Sequence, residues 1–319
     1  MNQRLSRRQL MAGCGACLAS GAVTAMASAD PAAAAQTNAA GQPFRYCLNT
    51  ATLMGHKLPL DQEVELAAKA GYSGIEPWTR NVTPYVQAGK ALKDLAKRIA
   101  DLGLSVESAI GFASWAAEDE RQRTAGLETM KREMELVAQL GGKRIAAPPA
   151  GINRTPGVDL RKVAERYRAV LELGRKMGVV PQLEIWGSAQ TLGTVAEAAF
   201  VAVAADHPDA CLLLDAFHMY KGGSGFNGLK LLSGAALHVF HLNDYPAEPP
   251  RETITDAQRV YPGDGVAPLP SVLRDLYATG FRGALSLELF NPEYWKQDPQ
   301  TVARTGLEKL RAVTEKALA

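Results

Sequence analysis

The chain is 319 residues long, and 35 Lys and Arg against 33 Asp and Glu leave a formal charge of only +2. A balance this even lacks the basic footprint of a nucleic-acid binder. It turns slightly acidic once the N-terminal stretch is set aside, because residues 1–29 hold Arg4, Arg7 and Arg8 and no acid.

That first stretch, residues 1–29, reads as an export signal. Ser6-Arg7-Arg8-Gln9-Leu10 is a twin-arginine start, an uncharged run of apolar and small residues follows from Met11, and Ala27-Ser28-Ala29 supplies an A-x-A cleavage pattern. The run is too rich in Ala, Gly and Ser to favour a membrane span. Met11-Ala12-Gly13-Cys14 offers a lipid-anchoring site at Cys14 as a minor alternative, although almost no apolar segment precedes it. The expected location is periplasmic or secreted. Residues 30–43 are mostly Ala, Gln, Asn, Pro and Gly, with nothing to bury, and read as a short disordered linker. Cys47 and Cys211, the cysteines beyond the signal, each sit in a predicted strand and are expected as buried thiols rather than a disulfide.

From residue 44 to 319 strand-like and helical patterns alternate. Strands are predicted near 44–50, 72–78, 104–112, 143–149, 179–186, 210–217, 236–243 and 283–290. Amphipathic stretches such as LDQEVELAAKAG and DLRKVAERYRAVLELGRKMG lie between them, with apolar residues at helical spacing and Gly just past several ends. Eight such units fit an α/β fold of the (β/α)₈ TIM-barrel kind in one domain, which needs about 250 residues. A doubly wound open sheet is the competing arrangement, but it has no reason to gather similar side chains from four successive strands.

Four runs in the second half each end in one metal-capable side chain: Glu184 in VPQLEIWG, Asp215 in ACLLLDAFH, His241 in LHVFHLND and Glu288 in ALSLELFN. Each follows a β-rich apolar run, so each is expected at the carboxyl end of a buried parallel strand, where such barrels assemble their sites. Three carboxylates and one imidazole make a hard, oxygen-rich set for one divalent cation, Mn²⁺ or Mg²⁺ first and Co²⁺, Fe²⁺ or Zn²⁺ as alternatives. The spacings of 31 and 26 residues match βαβ repeats. The last spacing, 47, contains residues 245–265, with four prolines and no periodicity, which read as a lid over the site.

With LEIW, LDAFH, HLND and LELF in this order, residues 44–319 resemble the xylose isomerase-like TIM barrels, and within them the sugar isomerase and epimerase branch. The resemblance implies that Glu184, Asp215, His241 and Glu288 hold one metal ion and that His218 contacts the substrate; the residues themselves point to Glu184 and Glu288 for the acid–base work. The chemistry agrees with the residues. A divalent ion gripping a carbonyl and an adjacent hydroxyl favours an enediolate, and two glutamates from non-adjacent strands can remove and return a proton on opposite faces. Further substrate contacts are expected from Glu76 in GYSGIEPW, from Arg259 in the lid and from Trp186, with Trp78, Trp115 and Phe290 as other aromatic candidates for a sugar face. Asp244 is either a support for His241 or an anchor for the lid. His238, three residues before His241 in an extended run, should point away from the site. Lys221-Gly222-Gly223-Ser224-Gly225 is a weak candidate for holding an anion.

The expected substrate is a small unphosphorylated sugar or keto-sugar, because phosphorylated sugars are mainly cytoplasmic. A lyase, dehydratase or keto-glycoside eliminase would use the same proton abstraction and is the main alternative, with a non-catalytic sugar-binding protein behind it. A barrel nuclease would need more histidines and a basic face than this chain has. No membrane span and no nucleic-acid partner are expected, and a homo-oligomer remains open.

Overall fold

A computed structural model describes residues 42–319. The predicted signal and most of the predicted linker therefore lie outside the described residues. Eight strands occur where eight were expected: β1 (Arg45–Asn49), β2 (Gly74–Glu76), β3 (Ser105–Val106), β4 (Arg144–Ala147), β5 (Val180–Glu184), β6 (Leu212–Asp215), β7 (Leu237–His241) and β8 (Ala284–Leu287). All neighbours pair in parallel, in the order β3-β2-β1-β8-β7-β6-β5-β4. The chain just past β3 meets β4 through the Ala146 N–H, which donates to the Ala109 carbonyl at 2.8 Å, so the sheet curls round to close as a barrel. The third strand is the one that differs most from expectation. Its run keeps only two residues in regular ladder, and contact resumes at Ile110, which pairs with Trp78.

Helices fill the connections, as α1 (Leu60–Ala70), α2 (Thr79–Gln87), α3 (Leu92–Asp101), α4 (Glu120–Gln139), α5 (Leu160–Met177), α6 (Val195–Ala204), α7 (Ala216–Lys221), α8 (Leu269–Ala278) and α9 (Pro299–Leu318). Their starts are set locally: Asp119, Asp159 and Asp298 accept from first-turn amides, and Thr194 with Glu197 forms a capping box.

The two-residue period of the strands decides which side chains enter the barrel. Tyr46, Leu48, Ile75, Ile145, Leu214, Phe240, Leu285 and Leu287 join the large core between sheet and helices. Cys47, Ala146, Leu213, Val239 and Ala284 form a small apolar plug of their own. Two residues further along the same strands stand Asn49, Asp215, His241 and Ser286, with Glu288 next in phase. The site is thus the layer above the plug, at the strands' carboxyl ends. Cys47 and Cys211 are buried free thiols. His238 sits out of phase with His241, as its spacing required, and burial pushes its imidazole down to about 4.

Residues 245–265 are folded down rather than loose. Asp244 accepts backbone hydrogen bonds from Tyr245, Gly263, Gly265 and Ala267 at 2.8 to 3.1 Å, and its own backbone pairs with Val260. That settles Asp244 as the anchor of this segment. Gly265 has to be glycine here, since a Cβ would fall 2.3 Å from Asp244 Oδ1.

Candidate active site

Asp215 ends β6 and caps α7, with Oδ1 accepting from the His218 amide at 2.7 Å. Its Oδ2 accepts from Asn243 Nδ2 and Arg259 Nη1, both at 2.8 Å. Glu288, just beyond β8, accepts from Asn49 Nδ2 at 3.2 Å on Oε1 and from Arg259 Nη1 at 3.1 Å on Oε2. His241 ends β7 between them. Its Nε2 lies 3.0 Å from Glu76 Oε2, which also accepts from Ser286 Oγ at 2.7 Å and Asn49 Nδ2 at 2.9 Å.

An ionised Glu76 can only accept, so it fixes hydrogen on His241 Nε2 and leaves Nδ1 for the cavity. That nitrogen is buried, has no hydrogen-bond partner, and lies 3.3 Å from Glu288 Oε2 and 3.7 Å from Asp215 Oδ2. Ligand atoms of Asp215, His241 and Glu288 all fall within 4.8 Å of one another. Glu184, at the end of β5, stands outside that grouping. It is buried all the same, and its Oε2 has no partner.

The charges explain the three-plus-one arrangement. Burial alone would raise the Asp215 carboxyl, but Arg259 and the two histidines outweigh it and hold Asp215 below its ordinary value. Burial would lower His241, yet the carboxylates of Glu76 and Glu288 hold it well above the usual imidazole range, so a cation bound at Nδ1 would displace a proton from that nitrogen. Glu184 has no cation in contact, and burial pushes it up to about 8, with Glu288, Asp215 and Glu76 adding to the effect against the pull of His241. Glu76, Glu184, Asp215, Asp256 and Glu288 therefore share one guanidinium and two imidazoles. An unpaired imidazole nitrogen, an unpaired buried carboxylate oxygen and surplus negative charge are what a divalent cation neutralises, so the residues present fit one.

His218 and Arg259 complete the polar side. Arginine only donates, so the 3.1 Å contact between Arg259 Nη2 and His218 Nε2 makes that nitrogen the acceptor and puts hydrogen on Nδ1. His218 Nδ1 is buried without a partner, and burial lowers the ring's pKa, so a neutral donor is held ready for a hydroxyl. Arg259 is fully buried, tied also to Asp256 Oδ1 at 2.5 and 3.0 Å, with Cζ 4.7 Å from the Phe217 ring centre and 5.1 Å from that of Phe290. Arg259, expected in a lid over the site, is held there by the Asp244 anchor and the Asp256 ion pair.

Other expectations change in detail. Glu76 stands behind His241 rather than out in the mouth, because it is fully buried and its Oε2 takes three donors. Trp115 is a core residue, its Nε1 donating to the Pro148 carbonyl at 2.7 Å. Lys221 Nζ bonds the carbonyls of Arg251 and Glu252, and the amides of Gly222, Gly223 and Ser224, expected to face an anion, donate instead to the carbonyls of His218, Tyr220 and Met219. Trp78 is buried against the apolar plug with Phe290 packed on it, and Trp186 is linked to them through Phe112. Asn49, Asn243, Ser286 and Asp256 were not singled out from sequence. Two of them were within reach, since Asn243 and Ser286 lie two residues from His241 and Glu288 on extended chain and so share their face.

The family model described as xylose isomerase-like TIM barrel matches residues 64–313. The chain belongs to that family. Among its relatives, inosose isomerase of Bacillus velezensis is 29% identical over 276 residues, covering 86% of this chain and 98% of its own length. The 3-dehydroshikimate dehydratase of Pseudomonas aeruginosa is 26% identical over 81% of this chain, which spans 40% of that protein. A crystal structure of the IolI protein with a binding zinc atom matches with a TM-score of 0.79 at 26% identity, covering 86% of this chain and 100% of that one. This xylose isomerase-like barrel thus keeps company with isomerase and dehydratase relatives and a zinc-bound one.

Glu76→Gln tests the geometry behind His241. An amide can turn its NH₂ toward Nε2 and releases the ring from a single tautomer, so divalent-metal affinity should fall about 10- to 100-fold. Competition against a chromogenic chelator reads it, and unchanged affinity would remove Glu76 from this role.

Proposed function

We propose that this protein is a divalent-metal-dependent isomerase or epimerase that moves a proton at a carbon beside a carbonyl in an unphosphorylated sugar or keto-sugar. The observation that carries the reading is the unpaired His241 Nδ1 set between Asp215 and Glu288, with the unpaired Oε2 of buried Glu184 close enough to feel the charges of all three. Glu184, Asp215, His241 and Glu288 would hold the ion, with Mn²⁺ as the metal that suits three carboxylates and one imidazole. When bound, the ion supplies a Lewis acid that meets charge developing on the substrate's oxygens.

The chain's own groups do the rest. Glu184 and Glu288 enter from strands separated by β6 and β7, so they can address a substrate carbon from two sides, one taking a proton and the other returning it. His218 Nδ1–H donates to a hydroxyl. Arg259 holds Asp215 and Glu288 in place and, with the folded lid, keeps bulk water away. A lyase or dehydratase is the second reading, favoured by the dehydratase relative and by the fact that its first proton abstraction needs the same glutamates. A binding protein without turnover fits less well, since it has no use for two carboxylates so placed.

The N-terminal reading belongs to the same proposal: residues 1–29 direct twin-arginine export and are cleaved, residues 30–43 link to the barrel of 44–319, and the protein works in the periplasm or outside the cell. Among the described residues no helix is long and apolar enough to cross a membrane. The deciding experiment incubates Mn²⁺-loaded protein with a panel of keto-sugars in heavy water. Deuterium at a carbon beside the carbonyl, with an epimer or isomer formed, is the expected result. An eliminated product would select the lyase reading, a preference for phosphorylated sugars would overturn the substrate inference, and neither exchange nor bound metal would overturn the proposal.

A further inference from the structure

Beyond the metal-ligand set, Arg259 and His218, the strand ends carry a connected series of four aromatic rings. Phe290 lies two residues past Glu288 and Trp186 two residues past Glu184, so each ring shares a face with a candidate acid–base glutamate. Between them run Trp78 and Phe112. Ring centres step from Phe290 to Trp78 at 5.7 Å, from Trp78 to Phe112 at 4.8 Å and from Phe112 to Trp186 at 6.0 Å. The arc thus leads from Phe290, whose ring centre also lies 5.1 Å from Arg259 Cζ, to Trp186 beside Glu184. It is also wired to the chemistry, because Trp78 Nε1 donates to Asn49 Oδ1 at 2.8 Å while Asn49 Nδ2 donates to Glu288 Oε1.

A single sugar ring placed with its oxygens toward Asp215 and His241 covers one or two of these rings and not four. Phe112 is the outlying one. It is 39% exposed, among the few large apolar side chains that are, and both its ring contacts are members of the arc. Exposed apolar surface continuous with a reaction site is most simply explained by a ligand that covers it. The rings are tilted at 41° to 69° to one another rather than stacked flat. Such a wall presents edges and faces to an aromatic guest, the geometry in which aromatic pairs gain beyond their buried area. The Arg80 guanidinium, with Cζ 4.2 Å from the Trp78 ring centre, adds a cation above the arc.

We propose that Phe112 and Trp186 seat an aromatic aglycone, so that the substrate is a keto-sugar carrying an aryl group rather than a free monosaccharide. This rests on the proposed sugar chemistry for where the reacting carbon lies, but not on whether that carbon is epimerised or eliminated. The sugar's oxygens face Asp215, His241 and the unpaired His218 Nδ1, its apolar face meets Phe290 and Trp78, and the aglycone leaves over Phe112 beside Trp186.

Binding separates this inference from the reaction. Mn²⁺-loaded protein is titrated with the phenyl and the methyl glycoside of the same keto-hexose, by calorimetry or by the summed fluorescence of its four tryptophans. The phenyl compound should bind at least about tenfold more tightly. In Phe112→Ala that ratio should fall to about twofold or less, and Phe112→Leu, which keeps apolar area but no ring, should fall between. Equal affinity for the two glycosides, or a ratio undiminished in Phe112→Ala, overturns the aglycone seat. If the exposed ring is instead covered by a second copy of the chain, the wild-type ratio is near one and Phe112→Ala shifts the oligomeric state, which also overturns it. A failure of heavy-water exchange with every keto-sugar would sink the proposed reaction while leaving this ratio to be read on its own.

Discussion

Glu288→Gln and Glu184→Gln should each lower turnover by about 100- to 10,000-fold, the range for removing one positioned acid or base. The two glutamates also serve as candidate ligands, so metal content must be measured by elemental analysis for each variant. Exchange and product formation then part company in an informative way. If one glutamate works on each side of the substrate, a variant that keeps its metal retains one of them and can still wash deuterium in on that side, while no epimer appears. A fully metallated Glu288→Gln with near-normal epimer formation would show that the two-carboxylate scheme is wrong. Loss of metal in Glu288→Gln together with loss of all exchange would restrict that residue to ligation. Glu184 is the more sensitive of the pair to metal. Burial holds its carboxyl at about 8, protonated at neutral pH, until a nearby cation makes ionisation favourable.

How much of this was legible in the sequence follows from what each residue does. The eight strands could be read because parallel strands covered on both faces are short, continuous apolar runs. Glu184, Asp215, His241 and Glu288 could be read because a charged side chain at the end of such a run needs a reason to be there. Asn49 gave no such signal. A single Asn after a strand is commonplace, and only the fold shows it touching Glu76, Glu288 and Trp78 at once. Glu76 was visible as a strand-end acid, but its partner, His241, lies 165 residues away, so a supporting part could not be told from a contact with substrate. Residues 245–265 were the hardest. Four prolines and no periodicity describe a floppy loop and a clamped one equally well, and the clamp consists of backbone amides converging on Asp244, which no side-chain pattern records.

Arg259→Ala should produce the largest change in stability of any single substitution at the site, and metal should repair it selectively. The guanidinium is fully buried and contacts Asp215, Glu288 and Asp256, so removing it strands acids that were folded in with a partner. Breaking a buried ion pair from one side costs about 3–5 kcal/mol. Asp256, whose side chain is 48% exposed, can recover water and softens the loss, whereas Asp215 and Glu288 cannot. A divalent cation held by those same two carboxylates offsets the missing positive charge. Adding Mn²⁺ should therefore raise the Tm of Arg259→Ala by several degrees more than it raises the parent's, even though the variant starts lower. Activity should not return with stability, because His218 loses the contact that fixes hydrogen on Nδ1 and the lid loses its inward tether. Thermal unfolding of both proteins with and without Mn²⁺, alongside kinetics on one keto-sugar, separates the two effects. Equal metal-induced shifts in parent and variant, with kinetics unchanged, would show that Arg259 neither neutralises the ligand carboxylates nor positions His218.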